Sequence, residues 1–340
     1  MNALTDKFGR PLRDLRISVT DRCNFRCTYC MPSEIYGERY EFLPKPQLLT
    51  FEEITRLARL LVHGGVNKLR ITGGEPLVRA DLDQLIQMLK PIEGVEDITL
   101  TTNAYLLSQM APRLKDAGLD RITVSLDSID PDVFGVMNGR GYKPQRVLDG
   151  IKSASNEELP IKVNTVVQKG VNDHTVVDMA EYFKGTGHIL RFIEFMDVGN
   201  INGWRNEHVV PSKELVDRID AVFPIEPIEP NYIGEVAERW RYIDGDGEIG
   251  FISSVTQPFC TNCTRLRLSP EGGLYTCLFA TEGFDLRTPM RDGATDVQLW
   301  DLITQVWEGR TDRYSELRAG MLASGVNKGS KKIEMYHIGG

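Results

Sequence analysis

No stretch of this 340-residue chain approaches the roughly 18–20 consecutive apolar residues that crossing a bilayer demands. The opening residues, Met1-Asn2-Ala3-Leu4-Thr5-Asp6-Lys7, lack the apolar core of a signal peptide. Together these absences point to the cytoplasm and away from a membrane. Positive charge is also short. Lys and Arg number 40 against 48 Asp and Glu, and the net charge of −8 means that the surface as a whole does not attract nucleic acid. An anionic ligand would need a local cluster of cations working against that field. Cysteine is absent outside two tight triplets, Cys23/Cys27/Cys30 and Cys260/Cys263/Cys277, which use all six. A chain this long does not need disulfide staples, and cytosolic thiols stay reduced. Spacing this short, with nothing left over, favours metal.

What is present alternates on two scales. Strand-like runs at Asp14–Asp21, Lys68–Thr72, Asp97–Thr102, Arg121–Asp127, Ile161–Val167 and His188–Phe195 are separated by amphipathic stretches. Those stretches are Phe51–His63, Leu82–Leu89, Tyr105–Ala117, Gln145–Ser153 and Thr175–Phe183. Thr50 and Glu53 form a capping box at the first of them, and Gly64-Gly65 ends it. Helices linking six strands imply βαβ crossovers, a parallel sheet and an α/β fold. The expected architecture is a partial (β/α)6 TIM-type barrel, with a doubly wound open sheet as the alternative. The barrel is expected over residues 1–223 and a C-terminal β-containing extension, carrying the second triplet, over 224–340. In that extension the proline-rich Pro224–Tyr232 reads as a linker. Arg239–Ile243 and Gly250–Val255 read as strands, and Asp296–Trp307 as a helix. A hairpin is expected from Arg265–Ser269 through Pro270-Glu271-Gly272-Gly273 to Leu274–Cys277.

The finer alternation lies inside the strands. Parallel strands covered on both faces are near-continuously apolar. Here Leu15, Ile17 and Val19 oppose Arg16, Ser18 and Thr20, and Leu69 and Ile71 oppose Lys68, Arg70 and Thr72. The later strands set Thr101, Thr123, Ser125, Lys162 and Arg191 on the polar side. Packing the apolar face under the helices turns a polar, basic face inward. Buried cations without partners are costly, so a ligand is the natural occupant of that interior. An open sheet with one solvated face is the competing reading.

Each triplet is one ligand short of the four cysteines that usually hold a cubane cluster. One iron would stay open to an exogenous ligand. A zinc site competes in both places, and it would need a fourth protein ligand.

The spacing Cys23-x-x-x-Cys27-x-x-Cys30 has Tyr29 just before its third cysteine, and Thr72-Gly73-Gly74-Glu75-Pro76 follows one βα unit later. These segments resemble the radical S-adenosylmethionine superfamily. The resemblance implies a [4Fe–4S] cluster whose open iron chelates S-adenosylmethionine, with Tyr29, Gly74, Glu75, Ser125 and Met196 receiving that cofactor. Further segments narrow it: Asp14 through Cys27, Lys68 through Pro76, Arg191-Phe192-Ile193-Glu194-Phe195-Met196, Phe259 through Arg267, and Gly339-Gly340. They resemble the GTP 3′,8-cyclase family of lyases, which open molybdenum cofactor biosynthesis by forming (8S)-3′,8-cyclo-7,8-dihydroguanosine 5′-triphosphate. By that resemblance there are two [4Fe–4S] clusters, and the second takes the guanine base. Arg16, Arg70, Thr101, Lys162, Arg265, Leu266 and Arg267 would contact GTP, with Lys68 and Arg191 completing the basic interior. Arg16, Gly339 and Gly340 would serve catalysis. Partners would be a one-electron reductant such as flavodoxin or ferredoxin, a downstream cyclic pyranopterin monophosphate synthase, and a second copy in a homodimer. Ala104 departs from the family, where Gly is frequent. A peptide-modifying radical enzyme and a non-catalytic iron–sulfur or zinc protein are the rival readings.

Overall fold

The computed structural model of the chain describes residues 4–232, 234–324 and 331–340. Six βα units come first. They comprise β1 (Asp14–Ser18), α1 (Phe51–His63), β2 (Lys68–Thr72), α2 (Leu82–Leu89), β3 (Asp97–Thr102), α3 (Leu107–Asp116), β4 (Arg121–Ser125), α4 (Pro131–Met137), α5 (Gln145–Asn156), β5 (Ile161–Val167), α6 (Val176–Phe183), β6 (Ile189–Glu194) and α7 (Ser212–Asp220). The remainder supplies β7 (Ile225–Ile228), β8 (Glu238–Tyr242), β9 (Glu248–Ile252), β10 (Arg265–Leu268), β11 (Gly273–Tyr275), β12 (Phe284–Asp285), α8 (Arg287–Arg291), α9 (Asp296–Glu308), α10 (Tyr314–Ser324) and α11 (Met335–Ile338).

All strands join one sheet in the order β12-β11-β10-β1-β2-β3-β4-β5-β6-β9-β8-β7. The six barrel strands are parallel, and the C-terminal region extends them in parallel at both ends, β10 beside β1 and β9 beside β6. The extension therefore completes the barrel wall on both sides. The sheet curls, because side chains from β10 through β9 line one common cavity. Pro224–Tyr232, expected as a linker, contains the edge strand β7, which pairs antiparallel with β8. Proline is tolerated there because an edge strand has one side free of ladder bonds, and Pro227 sits in it.

Local chemistry accounts for the elements. Thr50 and Glu53 close the capping box at α1, and Gly65 takes the left-handed conformation, φ +112°, just past its end. The sequence reading passed over α4. Its start is nevertheless signalled by Asp130, which accepts from the backbone N–H of Asp132 and Val133, and by Pro131 at the first helical position. Leu15, Ile17, Leu69 and Ile71 are buried in the same core as Leu57 and Leu61 of α1. Burial of each such side chain contributes about 1.5–3 kcal/mol. That apolar outer layer forces the opposite face of the same strands inward.

Strand register then stacks the inward residues in rows. Asp14 lies between Arg265 and Lys68, and Lys68 is followed by Asp97. One pleat higher, Arg267, Arg16, Arg70, Thr99 and Arg121 are successive lateral neighbours. Above them, Ser18 pairs with Thr72, and Thr101, Thr123 and Lys162 continue the level. Guanidiniums thus form a belt below a layer of hydroxyls.

Candidate active site between two cysteine triplets

Both triplets line a single cavity of about 540 Å³, one at the strand C-termini and the other beside β10 and β11. All six thiols are free, so the disulfide alternative does not apply. Among the described residues no three His, Cys, Asp or Glu side chains are placed to hold a single metal ion.

The first triplet sits on the loop after β1. Arg26 clamps this loop from behind, donating to the carbonyls of Cys23 (2.7 Å), Phe25 (2.7 Å) and Tyr36 (2.5 Å). The Thr72–Pro76 segment then docks on the loop backbone. Gly74 N–H donates to Thr20 O at 2.7 Å, and a Cβ on Gly74 would lie 2.5 Å from Arg22 O, so no side chain fits there. Glu75 is buried at the cavity wall and accepts from Thr102 Oγ1 (2.6 Å), Asn103 N (2.7 Å) and Leu77 N (3.0 Å). Burial raises its carboxyl to about 7 against those three bonds. Tyr29 donates to Asp127 Oδ2 at 2.7 Å, and Ser125 and Met196 line the same end. Burial pushes Cys23 up to about 12 and raises Cys27 and Cys30 as well. Ala104, one residue beyond the Thr101-Thr102-Asn103 run, has φ +58°. That left-handed backbone explains why glycine suits the position.

The second triplet lies in a basic field. Cys260 and Cys263 precede β10, and Cys277 follows β11. Arg265 Nη2 donates to Cys263 Sγ at 3.2 Å. Burial alone would raise the Cys263 thiol, but the charges of Arg265 and Arg310 bring it down to about 6. Cys277, with Asp312 nearby, is instead pushed up to about 11, mainly by burial.

Between the triplets stands the guanidinium belt. Arg16 Nε, Arg70 Nε and Thr101 Oγ1 are buried with no hydrogen-bond partner. No described carboxylate pairs with Arg16, Lys68, Arg70, Lys162, Arg191 or Arg267, whereas Arg121 is spent on Asp97. Burial, then Arg267 and Arg70, depresses Arg16 well below the ordinary arginine range. Burial and Arg70 lower Arg191 to about 9, and burial and Arg191 lower Lys162 to about 8. These cations are set against one another, and a polyanion would relieve them. Leu266 is the exception among the expected contacts. It is fully buried beside Leu15 on the outer face of the sheet and does not line the cavity, so only its backbone remains for a ligand.

The C-terminus threads back into this space. Tyr336 packs edge-on against Tyr36 and shares a hydroxyl hydrogen bond with Tyr40 at 3.0 Å, and His337 Nε2 meets Glu271 Oε1 at 2.7 Å. Arg267 Nη1 donates to the carbonyl of Gly339, and Gly340 lines the cavity. Several wall residues carried no assigned role from sequence: Asn103, Asp127, Asn164, Arg121 and Tyr232. Asn103, Asp127 and Asn164 continue the polar faces of their strands, which was the available signal. Tyr232, with Lys68 Nζ 3.6 Å from its ring centre, lay in the segment read as a linker.

The residues fit two clusters: three free thiols apiece, a carboxylate-lined end and a basic end. The family model for the radical SAM superfamily matches residues 17–183, and the model for Molybdenum Cofactor Synthesis C matches residues 188–316. The chain is 50% identical to a GTP 3′,8-cyclase of Acidothermus cellulolyticus, covering 99% of each chain. It is 52% identical, again over 99% of both, to a GTP 3′,8-cyclase of Staphylococcus saprophyticus. Among solved structures, SuiB of Streptococcus suis bound to S-adenosylmethionine superposes with a TM-score of 0.62 at 15% identity, over 91% of this chain and 68% of that one. That likeness concerns the fold. Full-length identity at this level places the chain in the GTP 3′,8-cyclase family of radical S-adenosylmethionine enzymes.

Proposed function

We propose that this chain cyclises GTP to (8S)-3′,8-cyclo-7,8-dihydroguanosine 5′-triphosphate, an early step of molybdenum cofactor biosynthesis. The observation that carries the reading is the belt of unpaired cations between the triplets. A triphosphate supplies the several negative charges such a belt calls for, and a peptide does not. When bound, the first cluster and S-adenosylmethionine would supply the one-electron chemistry that removes hydrogen from the ribose C3′, and closure of that carbon on guanine C8 would be completed by one further electron and a proton. The chain's residues orient the partners. Cys23, Cys27 and Cys30 hold the first cluster, and Tyr29, Gly74, Glu75, Ser125 and Met196 hold the cofactor. Cys260, Cys263 and Cys277 would hold the second cluster, at the end of the cavity where the base would bind. Arg16, Lys68, Arg70, Thr101, Lys162, Arg191, Arg265 and Arg267 hold the nucleotide. The Gly339-Gly340 tail closes the space around the sugar. A one-electron reductant and a synthase that consumes the product complete the expected partners. No described helix is long and apolar enough to cross a membrane, and we place the activity in the cytoplasm.

Anaerobic incubation of the reconstituted protein with S-adenosylmethionine, reductant and GTP should give 5′-deoxyadenosine and a cyclised nucleotide together. If 5′-deoxyadenosine accumulated only with a peptide, the reading would fail.

The belt also predicts a pH dependence of binding. Lys162 in the free protein loses its proton near pH 8, below the ordinary lysine value, and Arg191 follows near 9. Bound phosphate favours the protonated forms and raises both values. GTP affinity is therefore full below about pH 8 and falls above it by up to roughly tenfold per pH unit for each of the two groups that has lost its proton. Equilibrium binding measured across that range should show the decline, and Lys162→Met should bind more weakly with a flatter profile. A flat profile for the unmodified protein would remove Lys162 from the site.

A further inference from the structure

A buried ionic lattice stands behind the second triplet, outside every motif noted above. Asp6, ahead of β1, accepts from Arg10 Nε at 2.5 Å and lies 3.5 Å from Arg310 Nη1. Arg10 Nη1 donates to the carbonyls of Cys260 (2.9 Å) and Asp312 (2.8 Å). Arg310 donates from Nη1 to the Cys263 carbonyl at 2.8 Å and from Nη2 to Cys263 Sγ at 3.1 Å. The side chains of Asp6, Arg10 and Arg310 are 0, 2 and 1% exposed. Asp6 thus bridges two guanidiniums, Asp312 Oδ2 lies 3.5 Å from Arg310 Nε as a second carboxylate, and the guanidiniums grip the Cys260–Cys263 turn at both of its ends.

Such a lattice is hard to explain as a stability device. Burying three charges costs several kcal/mol in desolvation, and apolar side chains of the same volume would pack as well. Its geometry serves the sulfur instead. Cys263 receives two charged N–H···S bonds, from Arg310 and, on the cavity side, from Arg265. The first triplet has a different setting. Cys23 Sγ accepts from neutral donors, the Phe25 backbone N–H at 3.4 Å and the Asn103 amide at 3.8 Å, and the carboxylates of Glu75 and Asp127 stand in the adjoining wall. Hydrogen bonds to ligand sulfurs, together with positive charge, stabilise the reduced, more negative state of an iron–sulfur cluster.

We propose that Arg310, held in place by Asp6, is a positioning residue of the second cluster that fixes the Cys260–Cys263 turn and raises the cluster's reduction potential through its bond to Cys263. The proposal rests on the second triplet holding a cluster. A Cys23→Ala/Cys27→Ala/Cys30→Ala variant tests that premise separately. After anaerobic reconstitution it should retain iron and sulfide for one cluster, and their absence would refute the premise before Arg310 is touched. In this background, redox titration followed by electron paramagnetic resonance compares Arg310 with Arg310→Lys and Arg310→Gln. The midpoint should fall in Arg310→Gln and fall less in Arg310→Lys, which keeps the charge but loses the fork. In the otherwise intact chain the first cluster's midpoint should stay put. An unchanged second midpoint in fully loaded Arg310→Gln would overturn the proposal. Loss of iron from Arg310→Gln that Arg310→Lys restores would support the positioning role. Asp6→Asn keeps the shape of the lattice and weakens the tether. It should also lower the second midpoint, and a fully loaded Asp6→Asn with an unshifted midpoint would count against the lattice.

Discussion

Gly339→Ala should cut formation of the cyclised nucleotide by about 10²-fold or more while leaving both clusters intact. Gly339 has φ +78°, a backbone conformation that L-residues rarely adopt. Space is the larger obstacle. A Cβ built there lies 2.2 Å from Thr72 Cγ2, a separation real atoms do not adopt. Thr72 is fixed in β2, so the tail must move. Its movement breaks the bond from Arg267 to the Gly339 carbonyl and withdraws Gly340 from the cavity wall. A shift near 1 Å at a positioning element is enough for a loss of about 10²-fold. Iron and sulfide content should be unchanged, and 5′-deoxyadenosine should still form, now uncoupled from GTP. Thr72→Ser removes the Cγ2 methyl, and the double variant should recover part of the product. Full activity in Gly339→Ala would show that the tail has no part in the reaction.

Arg16→Leu should move stability and binding in opposite directions. Arg16 sits in the centre of the belt between Arg267 and Arg70, with its Nε buried and unpartnered. Burial and those two neighbours depress its pKa, and the same forces make it a liability in the ligand-free protein. Replacing this unpartnered charge by an apolar side chain should stabilise the free protein by about 1–3 kcal/mol. GTP affinity should meanwhile fall by about 2–4 kcal/mol, roughly 30-fold to 10³-fold, because a desolvated charge-assisted contact is lost. Thermal unfolding without nucleotide, beside equilibrium GTP binding, reads both quantities. If both declined together, Arg16 would be a structural residue and the belt would not be the phosphate site.

These expectations draw unequally on sequence and structure. Strand alternation is a local property with a period of two residues. It could therefore be read directly at Arg16, Lys68, Arg70, Thr101 and Lys162, and the cavity wall contains all five. The same rule, applied to Thr264-Arg265-Leu266-Arg267-Leu268, sets Arg265 and Arg267 on one face and Leu266 on the other. The resemblance carried it inward as a contact instead. Helix α4 was missed although Asp130-Pro131 marks its start, because its span carries only a short apolar pattern.

What the sequence by itself determined is the chemistry at hand: two incomplete cysteine triplets and a set of strands with one basic face. Those follow from residue type and short-range spacing. Only the tertiary structure decided how that chemistry is assembled. Whether β10 would lie beside β1, making Arg267 and Arg265 neighbours of Arg16 and Asp14, depends on pairing between segments far apart in the chain. The same holds for Arg310 reaching Cys263, for Asp6 holding Arg310, and for the tail arriving at Arg267. Register between distant strands is set by the packing of the whole core and leaves no local periodic trace. That is why the six cysteines announced two clusters, while the space between them, and what surrounds each sulfur, appeared only when the sheet curled.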